Sequence, residues 1–176
     1  MAEQYEIIDN FLPEIVCQQL NDILFHPNGD SKIQFSYVAD VNVSSKKNQF
    51  AFGRLLIDQS KPVVEGADQI VLPIMAELCK RIKSGVTVYR GKVNLFTRTP
   101  ENEGLGMHCD LNTPDYKTII YYVNDNNGGT RLHDGTFIQQ KKNRALIIHG
   151  KVLHETVTQT DANIRVNINI NYYLNN

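Results

Sequence analysis

The sequence has no long apolar run. Its longest, from Ile70 to Ala76, is interrupted by Pro73, whereas a membrane-spanning helix needs about 20 apolar residues, so no transmembrane segment is expected. A basic excess is also missing. Lys and Arg number 18 against 19 Asp and Glu, a formal net charge of −1, and the pairs Lys46-Lys47 and Lys141-Lys142 read as solvated turns. A protein that grips nucleic acid through its phosphates carries a basic stripe, so nucleic acid is not an expected partner. Cysteine is scarce: Cys17, Cys79 and Cys109 are odd in number and widely spaced, giving neither a CxxC metal pair nor a disulfide framework. The opening Met1-Ala2-Glu3-Gln4-Tyr5-Glu6 is acidic and has no apolar h-region. No signal peptide is expected there, and a reducing cytoplasm is the expected compartment. Linkers, internal repeats and low-complexity segments are absent too.

What is present is an ordinary globular composition, with 41% hydrophobic and 21% charged residues in a chain of 176. A chain of this length is expected to form one domain and to bury about 70% of its unfolded surface. Residues 5–8 read as a short strand. Pro13 suits the first position of a helix over 14–25, because its missing N–H costs nothing there. Ile15, Val16, Leu20, Ile23 and Leu24 fit one face of that helix, and residues 26–30 end it in a turn. Segments 34–39 and 49–57 read as β. A second helix is expected over 62–83, with Val64, Ile70 or Val71, Ile74, Leu78 and Ile82 on its buried stripe, Gly66 and Pro73 as breaking or kinking points, and Gly85 as its stop.

Beyond Gly85 the period changes to two. Strands are expected at 86–89, 92–96, 116–123, 130–133, 136–140, 144–149, 155–159 and 165–173, separated by turn residues such as Asn126-Asn127-Gly128-Gly129 and Asp134-Gly135. Many short strands with close turns predict a β-sandwich or barrel. The last strand alternates cleanly, with Val166, Ile168 and Ile170 on one face and Arg165, Asn167, Asn169 and Asn171 on the other.

Chemistry concentrates on histidine, of which there are five. His108-Cys109-Asp110 puts an imidazole and a carboxylate at i and i+2, which project to the same side of an extended segment, with Cys109 pointing away. His154 follows at the start of a predicted strand. Two imidazoles and one carboxylate leave coordination positions open and form the facial triad that suits non-haem Fe(II), whereas a structural zinc site closes with four ligands. Arg165 opens the last strand on its polar face. Inside a barrel such an arginine wants a carboxylate, which its planar fork binds bidentately. His149 beside Gly150 reads as structural, His26 beside Pro27 as a turn residue, and Cys109 as a small buried hydrophobe.

In this order His108-x-Asp110, His154 and Arg165 resemble the Fe(II)- and 2-oxoglutarate-dependent dioxygenases, in particular their small prolyl-4-hydroxylase-like branch. The wider pattern supports the likeness: Thr118-Ile119-Ile120-Tyr121-Tyr122-Val123-Asn124, Gly128-Gly129-Thr130, Arg144-Ala145-Leu146-Ile147-Ile148, His154-Glu155, Arg165-Val166-Asn167, and the opening Ile8-Asp9-Asn10-Phe11-Leu12. The resemblance covers most of the chain and is strongest over 93–173. It implies a mainly β fold, a double-stranded β-helix (jelly roll) over 86–176 with supporting N-terminal α-helices and strands over 1–85, in one oxygenase domain. It implies that His108, Asp110 and His154 hold Fe(II), that Arg165 pairs with the distal carboxylate of 2-oxoglutarate with help from Tyr122 and Asn167, and that O2 is consumed, with ascorbate as an optional reductant. Arg131 and His133 are candidates for the substrate mouth. The loops at 99–104 and 112–116 would flank the site.

Two departures bear on substrate. The branch usually carries a tyrosine in the strand before HxD, where this chain reads Asn94-Leu95-Phe96-Thr97-Arg98-Thr99, and Tyr89 lies too far upstream. The residue at 165 is arginine, as in the oxygen-sensing members, rather than the lysine of the collagen type. The expected activity is therefore hydroxylation of a protein or peptide side chain, proline among the candidates. Hydroxylation of a free amino acid or small metabolite is the alternative, followed by nucleobase oxidation, a zinc hydrolase using an activated water, and a metal-binding jelly-roll sensor without turnover. The sequence does not fix an oligomeric state.

Overall fold

The segments of period two assemble into two antiparallel sheets. The computed structural model describes residues 4–39, 50–113 and 115–175. Its elements run β1 (Tyr5–Ile8), α1 (Glu14–Leu24), β2 (Ser36–Val38), β3 (Ala51–Asp58), β4 (Lys61–Pro62), α2 (Ala67–Ile82), β5 (Val86–Thr97), β6 (Lys117–Tyr122), β7 (Gly129–Leu132), β8 (Phe137–Gln139), β9 (Arg144–His149), β10 (His154–Val157) and β11 (Ile164–Leu174). The larger sheet has the order β1-β9-β6-β11-β5-β3-β2, with β4 on β3, and the smaller has the order β10-β7-β8. Residues 104–108 run beside β10 through bridges from Gly104 to Val157 and from His108 to His154. The two sheets form the expected jelly roll, and β1, β2 and β3 extend its larger sheet rather than standing apart from it.

Each face of the larger sheet has its own cover. Outside, Leu20 and Leu24 of α1 and Ile70, Ile74 and Leu78 of α2 pack on Val93, Ile119, Tyr121, Ile147, Val166, Ile168 and Ile170. Inside, Ile120, Tyr122, Leu146 and Ile148 meet Leu132, Ile138 and Val152. Covering both faces explains why β6 and β9 each carry four consecutive apolar residues, at 119–122 and 145–148. The Gly128-Gly129 pair answers a close approach, since a Cβ at Gly129 would collide with the Ile138 carbonyl oxygen across the β7–β8 ladder.

Several boundaries differ from the sequence expectation. Pro13 is the N-cap of α1, not its first helical residue, and its carbonyl accepts from Val16 and Cys17. The buried face of α1 is Cys17, Leu20 and Leu24, whereas Ile15 is 68% exposed. Pro62 lies in β4, and α2 starts only after Gly66. Pro73 is tolerated inside α2, which ends at Lys83 in the left-handed conformation rather than at Gly85. The segments at 86–89 and 92–96 are one strand, and β10 begins at His154 itself. Lys46-Lys47, Gln49, Pro114 and the first three residues lie outside the described residues. Among the described residues, no helix is long and apolar enough to cross a membrane.

Asn143 fastens the N-terminal segment to the barrel. Its Oδ1 accepts from Leu12 N–H at 2.9 Å, its Nδ2 donates to the Leu12 carbonyl at 2.9 Å, and its backbone carbonyl accepts from Phe11 N–H. The residue is buried with φ of 59°, a conformation asparagine tolerates better than other side-chain-bearing residues. Asn143→Ala should lower stability by about 2–4 kcal/mol in urea unfolding, through unpaired buried groups and left-handed strain. Asn143→Asp, which keeps the acceptor, should fall in between, and a loss for Asn143→Ala below about 1 kcal/mol would show that the seam does not depend on this side chain. Nearby, Arg144 grips Asp9 at 2.6 Å, with Lys141 behind it, and holds that carboxyl down at about 2. A carboxyl lowered on folding stabilises above its unfolded value and loses that contribution as pH falls from about 4 to about 2. Asp9→Asn should flatten the acid limb of a pH–stability curve in that window.

Candidate active site

β10 and the segment beside it bring two histidines together. His108 and His154 are bridged through their backbones, with N–H to O distances of 2.9 and 3.0 Å, and their ring centroids lie 4.8 Å apart. Two residues past His108, the chain turns Asp110 back toward both rings. His108 Nε2 lies 3.8 Å from Asp110 Oδ1, and His154 Nε2 lies 3.7 Å from Asp110 Oδ2. All three ligand atoms fall within 4.8 Å of one another. Each ring places Nδ1 against a carbonyl, His108 on Gly106 at 3.1 Å and His154 on Val152 at 3.0 Å. That contact keeps the proton on Nδ1 and presents Nε2 to the cluster, the usual arrangement around a ligating histidine.

Neutral donors hold the carboxylate in place. Thr118 Oγ1 donates to Asp110 Oδ2 at 2.8 Å, Asn171 Nδ2 donates to the same oxygen at 3.0 Å, and Asn169 Nδ2 donates to Oδ1 at 3.2 Å. Burial pushes the Asp110 pKa up, but His154, Thr118, His108 and Asn169 outweigh it and hold the group below the usual carboxylate range. Burial likewise lowers the pKa of His154, against the pull of Asp110. The arrangement is thus an ionised carboxylate beside a neutral imidazole, both able to bind a metal.

Arg165 lies on the same inward face of β11, at 0% exposure. Its guanidinium sits 5.2 Å over the Phe96 ring, and none of its three nitrogens has a hydrogen-bond partner among the described residues. Burial lowers its pKa to about 10, with Tyr122 pulling the other way, so it stays cationic at neutral pH. A buried charge without a partner is costly, and a carboxylate is the group whose geometry matches the fork. Tyr122 is fully buried and donates to Thr130 Oγ1 at 2.8 Å. Asn167 accepts from Asn94 at 3.0 Å.

A cavity of about 250 Å³ opens on the triad and includes Phe96, Thr130 and Asn167 in its wall. Arg165 and Tyr122 do not line it themselves, but their partners Phe96 and Thr130 do. Cys109, expected to point away, is one of its wall residues. Arg131 and His133, expected at the substrate mouth, are not. Arg131 is paired at 2.8 Å with Glu155, whose other oxygen accepts from Gly106 N–H, so it braces the segment carrying His108. His133 is exposed, its N–H bonded to the Leu153 carbonyl. His149 lies at the end of β9 outside the cluster, and His26 is in the turn after α1. The sequence reading missed Arg90, Lys92, Asn94 and Thr156 in the wall and Thr118, Asn169 and Asn171 around Asp110. Period two along β5 was the available signal, but it needed the partner strand's register to become specific. Thr118→Val should weaken divalent metal binding by about tenfold in anaerobic calorimetry with the melting temperature little changed, since residues that orient ligands typically carry 10–100-fold in affinity. Unchanged affinity would show that Asp110 is placed without it.

No family profile and no curated protein sequence matches the chain. Solved structures do match. An oxidoreductase of the 2OG-Fe(II) oxygenase family from Burkholderia pseudomallei superposes with a TM-score of 0.74 at 12% identity, covering 97% of this chain and 85% of that one. A Trichoplax adhaerens prolyl hydroxylase, in complex with a hypoxia inducible factor oxygen degradation domain peptide fragment, gives 0.65 at 13% identity, over 98% and 84%. The non-heme alpha ketoglutarate dependent epimerase SnoN from nogalamycin biosynthesis gives 0.66 at 9% identity, over 97% and 76%. The chain therefore has the fold of the 2OG-Fe(II) oxygenases, prolyl hydroxylases among them, with a His-Asp-His cluster in its jelly roll.

Proposed function

We propose that this chain is an Fe(II)- and 2-oxoglutarate-dependent oxygenase that hydroxylates a C–H bond. The observation that carries the reading is the unpaired, fully buried guanidinium of Arg165 beneath the wall of the cavity that His108, Asp110 and His154 face. A zinc hydrolase would leave that arginine without a purpose, and so would a sensor that binds metal alone. His108, Asp110 and His154 would hold the iron on one side. Arg165 would receive the distal carboxylate of 2-oxoglutarate, with the Tyr122 hydroxyl, now on Thr130, and the Asn167 amide as further donors. Such a centre, when loaded, supplies oxidative hydroxylation coupled to conversion of 2-oxoglutarate and O2 into succinate and CO2. Thr118, Asn169 and Asn171 keep Asp110 ionised and oriented, and the Gly106 and Val152 carbonyls keep the protons of His108 and His154 on Nδ1.

We take residues 1–176 as one oxygenase domain, because β1, β2 and β3 share a sheet with the later strands. The proposed compartment is the cytoplasm, where Cys17, Cys79 and Cys109 stay as thiols and iron stays ferrous. The peptide-bound prolyl hydroxylase among the similar structures supports a protein or peptide side chain as the substrate. A second reading, hydroxylation of a free amino acid or small metabolite, is favoured by the modest, polar cavity of about 250 Å³.

Anaerobic titration of the protein with Fe(II) and 2-oxoglutarate should produce a visible metal-to-ligand charge-transfer band. The band should vanish in His154→Ala and require at least tenfold more 2-oxoglutarate in Arg165→Ala, since a charge-assisted bidentate contact contributes at least that much. Admitting O2, with ascorbate and proline-containing peptide libraries or free amino acids, should then yield substrate-dependent succinate. Metal binding without the band would sink the oxygenase reading.

A further inference from the structure

We infer that Arg90 and Lys92 form an anion-binding subsite for an acidic group on the substrate, a proposal that rests on the oxygenase reading. Alternation along β5 sends Arg90, Lys92, Asn94 and Phe96 into the cavity. They stand directly opposite Asn171, Asn169, Asn167 and Arg165 of β11. The two cations thus share one wall with the metal cluster, beside the asparagines that hold Asp110. Among the described residues, neither forms a salt bridge or a side-chain hydrogen bond.

Lys92 is half-buried and lies against the neighbouring strand. Its side chain crosses Gly53 of β3, where a Cβ would collide with Lys92 Cε and stand 3.0 Å from Nζ. A glycine at 53 therefore gives the lysine its bed. Burial, and then the charge of Arg90, push the Lys92 pKa down, and Asp110 opposes them only in part. Two like charges side by side in a cavity, offset only in part by Asp110, form a strained arrangement that an anion relieves.

Charge balance shows that the cofactors do not supply that anion. On the oxygenase reading Fe(II) would contribute +2 and 2-oxoglutarate −2, which with Asp110 at −1 and Arg165 at +1 sum to zero. Arg90 and Lys92 remain uncompensated. Along β5, Lys92 and Arg90 lie four and six residues from Phe96, the partner of Arg165, toward the opposite end of the ladder from the proposed seat of the distal 2-oxoglutarate carboxylate. The substrate is therefore one that carries a carboxylate or a phosphate and places its reacting C–H bond between that group and the metal.

The test uses the full chain, loaded anaerobically with Fe(II) and saturating 2-oxoglutarate. It is titrated with L-glutamate and with O-phospho-L-serine, each against its neutral counterpart, L-glutamine and L-serine. An acetylated, amidated glutamate tripeptide against its glutamine form tests a peptide source. Two signals are read: the melting temperature and the shift of the charge-transfer band. At least one acid should bind at least tenfold more tightly than its neutral counterpart. Arg90→Gln and Lys92→Gln should each remove most of that preference, and Lys92→Arg should restore part of it. The acid that responds names the source as free carboxylate, phosphate or peptide. Equal binding of acid and neutral forms, no binding of any acid at 10 mM, or wild-type preference in both glutamine variants would overturn the proposal. A tenfold rise in the 2-oxoglutarate needed for the band in either glutamine variant would assign that residue to the cosubstrate and overturn it as well. Failure of the band itself strikes instead at the oxygenase reading, and the acid-dependent melting shift can still be read without it. Arg90→Gln serves where Lys92→Gln does not fold.

Discussion

The pairing of β11 with its two neighbours is the constraint on which the rest of the structure depends. Among the described residues, β11 alone joins the β1-β9-β6 half of the larger sheet to the β5-β3-β2 half. It must therefore satisfy two ladders at once, and its two faces serve different purposes. Val166, Ile168, Ile170 and Tyr172 are buried against the helices. Arg165, Asn167, Asn169 and Asn171 face the cavity wall or the groups just beneath it. A slip of one residue would exchange the two sets, placing a guanidinium in the apolar layer and isoleucines around Asp110. The bulge after Asn171 falls beyond the last of these inward residues, so the alternation is unbroken wherever the site needs it.

The interior is polar in a graded way. Around Asp110 the donors are hydroxyl and amide groups, which orient a carboxylate without neutralising it. A lysine at position 169 or 171 would have paired with Asp110 and competed with any metal. The full positive charges make no salt bridge to Asp110 among the described residues, Arg165 lying at one end of the β5–β11 ladder and Lys92 and Arg90 toward the other. Glu155, the other acid near the cluster, is occupied by Arg131 and Gly106. The cavity as a whole thus sets three cationic side chains, in its wall or just behind it, around a carboxylate-bearing centre.

How much of this was legible in the sequence depends on how local the signal is. His108, Asp110, His154 and Arg165 stand out because histidine is rare here and because an i, i+2 pair on an extended segment already says which side chains converge. The alternation of β11 was equally plain. Arg90 and Lys92 were invisible because a charge on a strand reads as solvated until the opposite strand and its register are known. Arg131 and His133 were expected at the mouth from their nearness to Gly128-Gly129, but the ion pair with Glu155 depends on the β7–β10 register, which no local pattern encodes. Ile15 was assigned to the buried face of α1 because apolar periodicity does not distinguish Cys17 from its neighbours as the true centre of the stripe. Pro62 and Val64 were drawn into α2 because the two-residue β4 is too short to leave a pattern.

The position of β11 also orders events in time. β3 and β5 can pair soon after both exist, but β6 must wait for β9 and β11, and β1 waits for a partner made more than a hundred residues later. Such long-range pairing is slow because loop closure precedes its reward. During synthesis, the two half-sheets would therefore stand with open edges until Ile164–Leu174 leaves the ribosome and closes them. Until then Asp110 lacks Asn169 and Asn171, so its carboxylate would not yet be held in place beside His108 and His154. Orientation of the carboxylate and closure of the larger sheet then fall to the same strand.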